Sequence, residues 1–155
     1  MNRSHDDIHE IIILRNGGLG DFILTIPLFL ALRQQHPQVP LTIFCANAYR
    51  PLLHLITHLL PLTTTIDNQS SLASSLLTPP QSQIDLNHRR LILFGSPDRE
   101  LEEAWKAHGL CHVSWIDPKP STPPWAAEHY CSALDLDLPT PWPPALAKAT
   151  LPCPD

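Results

Sequence analysis

The chain has 155 residues, about the length of one domain, of which 43% are hydrophobic and 16% are charged. This composition excludes a disordered charged tail and supplies enough apolar side chains for a core. The formal net charge of −5 lacks the basic footprint of a nucleic-acid-binding protein, so we expect no nucleic-acid partner.

No apolar run approaches the roughly 18 residues that a membrane-spanning helix needs, so no transmembrane segment is predicted. Met1–Glu10 is polar and acidic, which is unlike a secretory signal. The four cysteines form no CxxC pair and indicate reduced thiols rather than a redox or zinc motif. We therefore expect a cytoplasmic protein, with peripheral association to the inner membrane left open.

Five short segments predict the strands of one sheet: Ile11–Leu14, Leu41–Cys45, Leu62–Ile66, Leu91–Phe94 and Cys111–Ile116. The first of them is a continuous run of branched residues, typical of a strand that is buried on both faces. Strands that alternate with helical patterns predict parallel pairing. The fold class is therefore α/β, with a Rossmann-like, doubly wound sheet over residues 1–138 and Ile11–Leu14 at its centre.

Five helical segments lie between and after these strands. The first begins near Asp21, and Pro27 within it predicts a kink or a late start. The fourth connection, which follows Leu91–Phe94, has Ser96 as a helix cap and Pro97 at the first helical position. The remaining predicted helices are Ala48–Leu60, Ser70–Leu77 and Trp125–Leu136. Residues 139–155 are rich in proline and predict a stiff tail or an interdomain linker with few core contacts.

The turn after the first strand reads Asn-Gly-Gly-Leu-Gly-Asp over residues 16–21. Ile23 occupies the position where a dinucleotide fingerprint needs glycine or alanine, and no Gly-Lys-Ser/Thr follows, so both phosphate motifs are excluded. The glycines allow a ligand to approach the backbone closely, and the helix dipole favours an ionised Asp21. That carboxylate can act as a general base towards a hydroxyl or as a helix cap, and local chemistry alone favours the cap.

The segment Ile11–Pro27 reads Ile-Ile-Ile-Leu-Arg-Asn-Gly-Gly-Leu-Gly-Asp-Phe-Ile-Leu-Thr-Ile-Pro. It resembles the opening of glycosyltransferase family 9, the lipopolysaccharide heptosyltransferases. The likeness continues through Leu28–Leu32 and Leu41–Phe44 and returns weakly at Trp125–Leu134. This resemblance implies the N-terminal, acceptor-side half of a GT-B enzyme with two Rossmann-like domains. Such an enzyme is inverting and independent of metal, and its donor is a nucleotide-activated sugar such as ADP-heptose, with no further cofactor.

The resemblance implies that Asp21 is the base that deprotonates the acceptor hydroxyl of a glycan or glycolipid. Gly17, Gly18 and Gly20 would form the open substrate-binding turn, and Arg15 and Thr25 are candidate acceptor contacts. The family holds its nucleotide sugar mainly in the C-terminal domain, and this chain ends about where that domain would begin. We therefore expect these residues alone to be inactive without a C-terminal GT-B domain in the same or a separate chain.

The alternative is a non-catalytic, Rossmann-like binding or scaffold module, or a subunit that pairs with a separately encoded half. A metal site is not predicted. His54 and His58 have the i, i+4 spacing of a zinc-binding helix face, but no third ligand is evident near them.

Overall fold

The computed structural model describes residues 8–78, 85–121 and 126–139. Five parallel strands form one sheet in the order β3-β2-β1-β4-β5. They are β1 Glu10–Leu14, β2 Leu41–Cys45, β3 Thr63–Asp67, β4 Arg89–Phe94 and β5 His112–Ile116. The predicted α/β, Rossmann-like fold is confirmed, and so is the central position of the first strand.

The branched residues of β1 bury both faces of the sheet. Ile11 and Ile13 enter a core cluster on one face, and Ile12 and Leu14 enter a second cluster on the other. Because successive side chains of a strand point to opposite faces, a continuous apolar run fits only a strand that is covered on both sides. Parallel pairing with β2 and β4 places Ile12 beside Thr42 and Leu91.

The helices cover both faces of this sheet. They are α1 Leu19–Gln35, α2 Arg50–Leu55, α3 Ser71–Leu76, α4 Arg99–Ala107 and α5 Ala126–Ser132. Buried residues of α1, α2 and α5 join the cluster of Ile11 and Ile13, and those of α3 and α4 join the cluster of Ile12 and Leu14. This two-sided cover is the doubly wound arrangement that the sequence predicted.

The predicted continuous helix Ala48–Leu60 is wrong, because the segment is broken into three pieces. A 3₁₀ turn at Asn47–Tyr49 precedes α2, and a second one at Thr57–Leu59 follows it. The Thr57 hydroxyl donates to the carbonyls of Leu53 and His54 at 3.1 and 3.0 Å. These bonds satisfy terminal carbonyls of α2 from a side chain, so the helix ends there instead of continuing.

The predicted start of α4 at Ser96 and Pro97 is also wrong. Asp98 is the N-cap, and its Oδ1 accepts the Leu101 N–H at 3.0 Å. Asp is as good a cap as Ser, and here the aspartate is the residue whose side chain reaches the third helical N–H. The acidic residues that follow then lie in the first turn, where the helix dipole favours them.

The ends of the other helices also differ from the predicted ones. α1 begins at Leu19, ahead of Asp21, so the late start expected from Pro27 does not occur. α5 ends at Ser132, before the predicted Leu136, and Asp135 follows with a left-handed φ of 57°. Leu138 packs against the core and Pro139 is buried, whereas residues 140–155 of the predicted tail lie outside the described residues. No helix in the described part of the chain is long and apolar enough to cross a bilayer.

Candidate functional site

The carboxyl ends of the five strands meet at one edge of the sheet. The chain leaves β1 towards β2 on one side, and from β3 it crosses over to β4 on the other side of β1. Ligands of open α/β sheets bind outside the strand ends at such a reversal of strand order. The loop after β1 lies at this position, and it is joined to the end of β3 by the Asn68 Nδ2 donor to Asn16 Oδ1 at 3.0 Å.

Asp21 is the third residue of α1, and its side chain is 37% exposed at this edge. Its Oδ2 accepts the N–H of Gly18, the N-cap residue, at 3.1 Å. The carboxylate therefore caps the helix from its third position and is not itself the N-cap. It remains open to solvent while it does so. The two roles considered for Asp21, cap and base, are compatible in this geometry.

Position 17 must be a glycine because the carboxylate of Asp21 occupies the space that a side chain would need. Its φ is +134°, and a Cβ on it would lie 2.8 Å from Asp21 Oδ2. Any side chain here would strain the backbone and displace the carboxylate. Gly18 leaves 3.8 Å to the same oxygen, and a Cβ on Gly20 would meet nothing within 4 Å. The turn is thus open above Gly20 and closely fitted to the carboxylate at Gly17.

Arg15 and Thr25 lie behind Asp21, in the interior. Arg15 is 3% exposed and Thr25 is fully buried. The Arg15 Nε donates to Thr25 Oγ1 at 2.9 Å, and the Thr25 hydroxyl donates to the backbone carbonyl of Asp21 at 2.8 Å. Both residues were predicted as acceptor contacts from sequence. The structure places them where they support the Asp21 turn, away from the exposed surface.

The guanidinium of Arg15 is held by further groups. Its Nη1 donates to the Asn16 carbonyl at 2.6 Å, and its Cζ lies 4.4 Å from the centre of the Phe94 ring. Its Nη2 lies 3.9 Å from Asp21 Oδ1 and has no hydrogen-bond partner among the described residues. A buried guanidinium therefore stands behind the carboxylate of Asp21.

Sequence reasoning missed the aromatic residues around this cation. Tyr49 donates to the Gly17 carbonyl at 3.2 Å, which fixes the glycine turn from the segment after β2. Tyr130 of α5 packs edge-on against Phe94 and donates to the Pro118 carbonyl at 2.7 Å. Burial raises the pKa of Tyr130, and the nearby Arg15 cation opposes that rise. No local pattern marks these residues, because they approach the turn only through the tertiary fold.

His54 and His58 are both exposed, the first in α2 and the second in the 3₁₀ turn that follows it. Within residues 8–78, 85–121 and 126–139, no group of three or more His, Cys, Asp or Glu is placed to hold a metal ion.

No family model matches the chain, and neither a curated protein nor a solved structure is detectably similar to it. The resemblance to glycosyltransferase family 9 therefore stays a prediction that depends on the segment Ile11–Pro27.

Proposed function

We propose that this chain is the acceptor-side domain of an inverting glycosyltransferase and that Asp21 is its general base. The observation that carries the proposal is the partly exposed carboxylate of Asp21 at the carboxyl edge of a doubly wound sheet. Its position in a glycine turn leaves room for a hydroxyl-bearing ligand beside it. The resemblance of Ile11–Pro27 to glycosyltransferase family 9 supports the same role.

In the proposed reaction, Asp21 accepts the proton of an acceptor hydroxyl as that oxygen attacks the anomeric carbon of the donor sugar. A bond forms between the acceptor oxygen and the anomeric carbon. The bond from that carbon to the phosphate oxygen breaks, and the nucleoside diphosphate leaves with the electron pair. Attack on the face opposite to the leaving group inverts the anomeric configuration.

The hydrogen bonds around Asp21 hold its carboxylate in one orientation, as a general base requires. The Gly18 N–H holds Oδ2, and the Arg15–Thr25 pair supports the backbone of the same residue. These contacts restrict the rotation of the carboxylate and leave its other face towards solvent. A base that is oriented before the substrate arrives loses less entropy in the transition state.

The alternative, a binding or scaffold module without catalysis, is favoured by one observation. The bond between Asp21 Oδ2 and the Gly18 N–H gives the carboxylate a structural reason to be present. Under this alternative Asp21 is a helix cap only, and a substitution that preserves the cap would leave the function of the module intact.

Asp21→Asn separates the two proposals. The amide keeps an oxygen for the Gly18 N–H but cannot take the proton, so stability should change little. In a complete enzyme, with a C-terminal GT-B domain supplied in the same or a separate chain, we expect transfer from ADP-heptose to fall by about 100-fold or more.

Asp117→Asn is the matched control for this experiment. Asp117 is an exposed aspartate just after β5, and its carboxylate also accepts a backbone N–H, that of Lys119 at 2.9 Å. This variant should retain full transfer. If Asp21→Asn were as active as Asp117→Asn, Asp21 would be a cap and the proposal of a base would be abandoned.

A further inference from the structure

A second feature of the same sheet edge is a crevice between the ends of β1 and β4, which we call the β1/β4 crevice. Leu14 and Asn16 line it from β1, Leu93 and Ser96 from β4 and its loop, Asp98 from the start of α4, and Trp115 from β5. Its volume is about 250 Å³. It lies where the strand order reverses, the usual ligand position of this fold.

One wall of the β1/β4 crevice is apolar and rigid. Leu14 and Leu93 are buried, and the half-buried Trp115 supplies an aromatic ring. The Trp115 indole N–H donates to Glu102 Oε2 at 3.2 Å, and its ring packs against Trp105 with centroids 6.0 Å apart. The ring is thus fixed from two sides. The negative face of an aromatic ring attracts the weakly positive C–H groups of a flat ligand.

The crevice is also lined by polar groups with unused hydrogen-bonding capacity. Asp98 Oδ1 accepts the Leu101 N–H, and its second oxygen has no hydrogen bond to a described residue. The Ser96 hydroxyl has no described partner, and Asn16 uses its Oδ1 but not its Nδ2. These groups can accept from and donate to the hydroxyls of a ligand.

The charge and size of the β1/β4 crevice select the class of ligand. Among the described residues that line it, Asp98 is the one charged residue, and none is Lys, Arg or His. A phosphate or carboxylate would meet a like charge without a cation to balance it. Sites for drug-sized ligands measure roughly 300–1,000 Å³, so this crevice has room for a single ring.

We propose that the β1/β4 crevice binds one uncharged pyranose ring, which stacks on Trp115 and hydrogen-bonds to Asp98 and Ser96. The choice of a sugar over other uncharged polyhydroxyl rings rests on the proposed function. Asn16 lies in the crevice and directly precedes the glycine turn that leads to Asp21. A ring bound here is therefore the neutral sugar of the acceptor, beside the base. Asp98, Ser96 and Trp115 would determine acceptor specificity.

The test is a direct binding measurement on the full chain, with no donor present. The methyl pyranosides of glucose, galactose and mannose are titrated separately, and AMP and inorganic phosphate serve as anionic probes. The readout is the NMR resonance of the Trp115 indole N–H, assigned by its loss in Trp115→Phe. We expect a saturable shift with at least one pyranoside and none with AMP or phosphate.

Two substitutions and one control locate the ligand. Asp98→Asn keeps a capping oxygen for Leu101, and Ser96→Ala removes only a hydroxyl, so both should fold. Each should weaken pyranoside binding by about tenfold, the effect of one lost hydrogen bond to a charged or well-placed group. Glu103→Gln makes the same change of charge at an exposed position of α4 outside the crevice and should leave binding unchanged.

The proposal is overturned if no pyranoside gives a saturable shift, if AMP or phosphate competes for the site, or if Glu103→Gln weakens binding as much as Asp98→Asn. The binding measurement uses the unsubstituted chain without a donor, so its result is independent of the transfer assay on Asp21→Asn, and the two proposals can fail separately. Normal binding together with an active Asp21→Asn enzyme would remove the base and keep the crevice. An inactive Asp21→Asn enzyme, together with no pyranoside binding by the unsubstituted chain, would keep the base and remove the crevice.

Discussion

Arg15 is a buried cation that connects distant parts of the chain. It directly follows β1, and its guanidinium contacts Thr25 of α1, the ring of Phe94 at the end of β4, and the carboxylate of Asp21. A buried charge is costly unless polar or aromatic groups surround it. Its partners here are the groups that position the glycine turn, so the stability of this region and the geometry of the candidate site depend on the same side chain.

We expect Arg15→Met to lower the free energy of unfolding by about 2–3 kcal/mol, because two hydrogen bonds and the contact with Phe94 are lost. Thr25→Val should cost about 1–2 kcal/mol, because it leaves the Arg15 Nε without its acceptor. The loss of unfolding free energy in the double variant should be about 1 kcal/mol smaller than the sum of the two single losses, because residues in direct contact are energetically coupled. Urea unfolding of the four proteins measures this coupling.

Arg99→Met is the control for that cycle, because Arg99 is an exposed cation in the first turn of α4. It should change stability by less than about 0.5 kcal/mol. Strict additivity of Arg15→Met and Thr25→Val would show that the hydrogen bond between these two residues contributes nothing to folding.

Cys45 and Cys131 are buried thiols, and burial raises the pKa of each to about 11. For Cys45 the Arg50 cation opposes the rise and Asp67 adds to it, whereas for Cys131 the charge of Asp137 adds to it. Among the three cysteines within the described residues, we expect iodoacetamide at pH 8 to alkylate the half-buried Cys111 first. Cys45 and Cys131 should react only when the protein unfolds, because the reactive species is the thiolate. Peptide mass spectrometry over a time course measures the order.

The same pKa values predict a loss of stability at alkaline pH. The unfolded thiols titrate near about pH 8.5, below their folded pKa, so the folded state binds these protons more tightly. The stabilisation is complete below about pH 8.5 and declines as the pH rises towards 11. Thermal unfolding between pH 8 and 11 measures it. The decline should be shallower in Cys45→Ala/Cys131→Ala, and an equal decline would exclude these thiols as its source.

At the scale of elements, Trp105 joins α4 to α3 on the second face of the sheet. It is fully buried, and its indole N–H donates to the Leu76 carbonyl in the last turn of α3 at 2.7 Å. That carbonyl is one of those that a helix end leaves without an intrahelical donor. The side chain therefore contributes both packing and the cap of a neighbouring helix.

We expect Trp105→Phe to cost about 2–3 kcal/mol, because it removes the donor to Leu76 and leaves part of the core volume empty. Lys106→Ala is the neighbouring control. Its ion pair with Glu102 is at the surface, so its loss should cost less than about 1 kcal/mol. Chemical unfolding compares the two, and equal values would mean that the buried indole is not what holds α3 to α4.

The strands could be predicted closely, since each depends on a short local run of apolar or β-branched residues. β2 was predicted with the observed bounds, and β1 with one residue missing. The helices were harder to predict because side-chain bonds decide their ends. At the end of α2, the Thr57 hydroxyl donates to the Leu53 carbonyl. At the start of α4, Asp98 and not Ser96 is the N-cap.

The candidate site was predictable only in part, because some of its residues come together only in the tertiary fold. The motif at Gly17–Asp21 stands in one local segment and can be read from the sequence. The burial of Arg15 cannot, because its cover comes from Phe94 and Tyr130, residues far away in the chain. Nor can the β1/β4 crevice, whose walls come from four separate segments that only the sheet order brings together.

At the scale of the whole molecule, both proposed sites lie at one edge of one sheet. Asp21 follows β1, and Asn16 of the turn between them lines the β1/β4 crevice. Among the described residues, neither the lining of the crevice nor the turn at residues 16–21 contains Lys or Arg, and Arg15 behind Asp21 is 3% exposed. This edge is therefore suited to a hydroxyl-bearing acceptor and not to the diphosphate of a nucleotide sugar.

An inverting transfer needs a base at the acceptor and a second set of groups that stabilises the departing diphosphate. We therefore expect a polypeptide of these 155 residues alone to show no measurable sugar transfer and little or no binding of ADP-heptose in calorimetry, while circular dichroism shows it folded. Addition of a C-terminal GT-B domain should restore transfer, and Asp21→Asn should remove most of the restored activity. Transfer by the 155 residues alone would place the donor site within them and would refute the assignment of this edge to the acceptor alone.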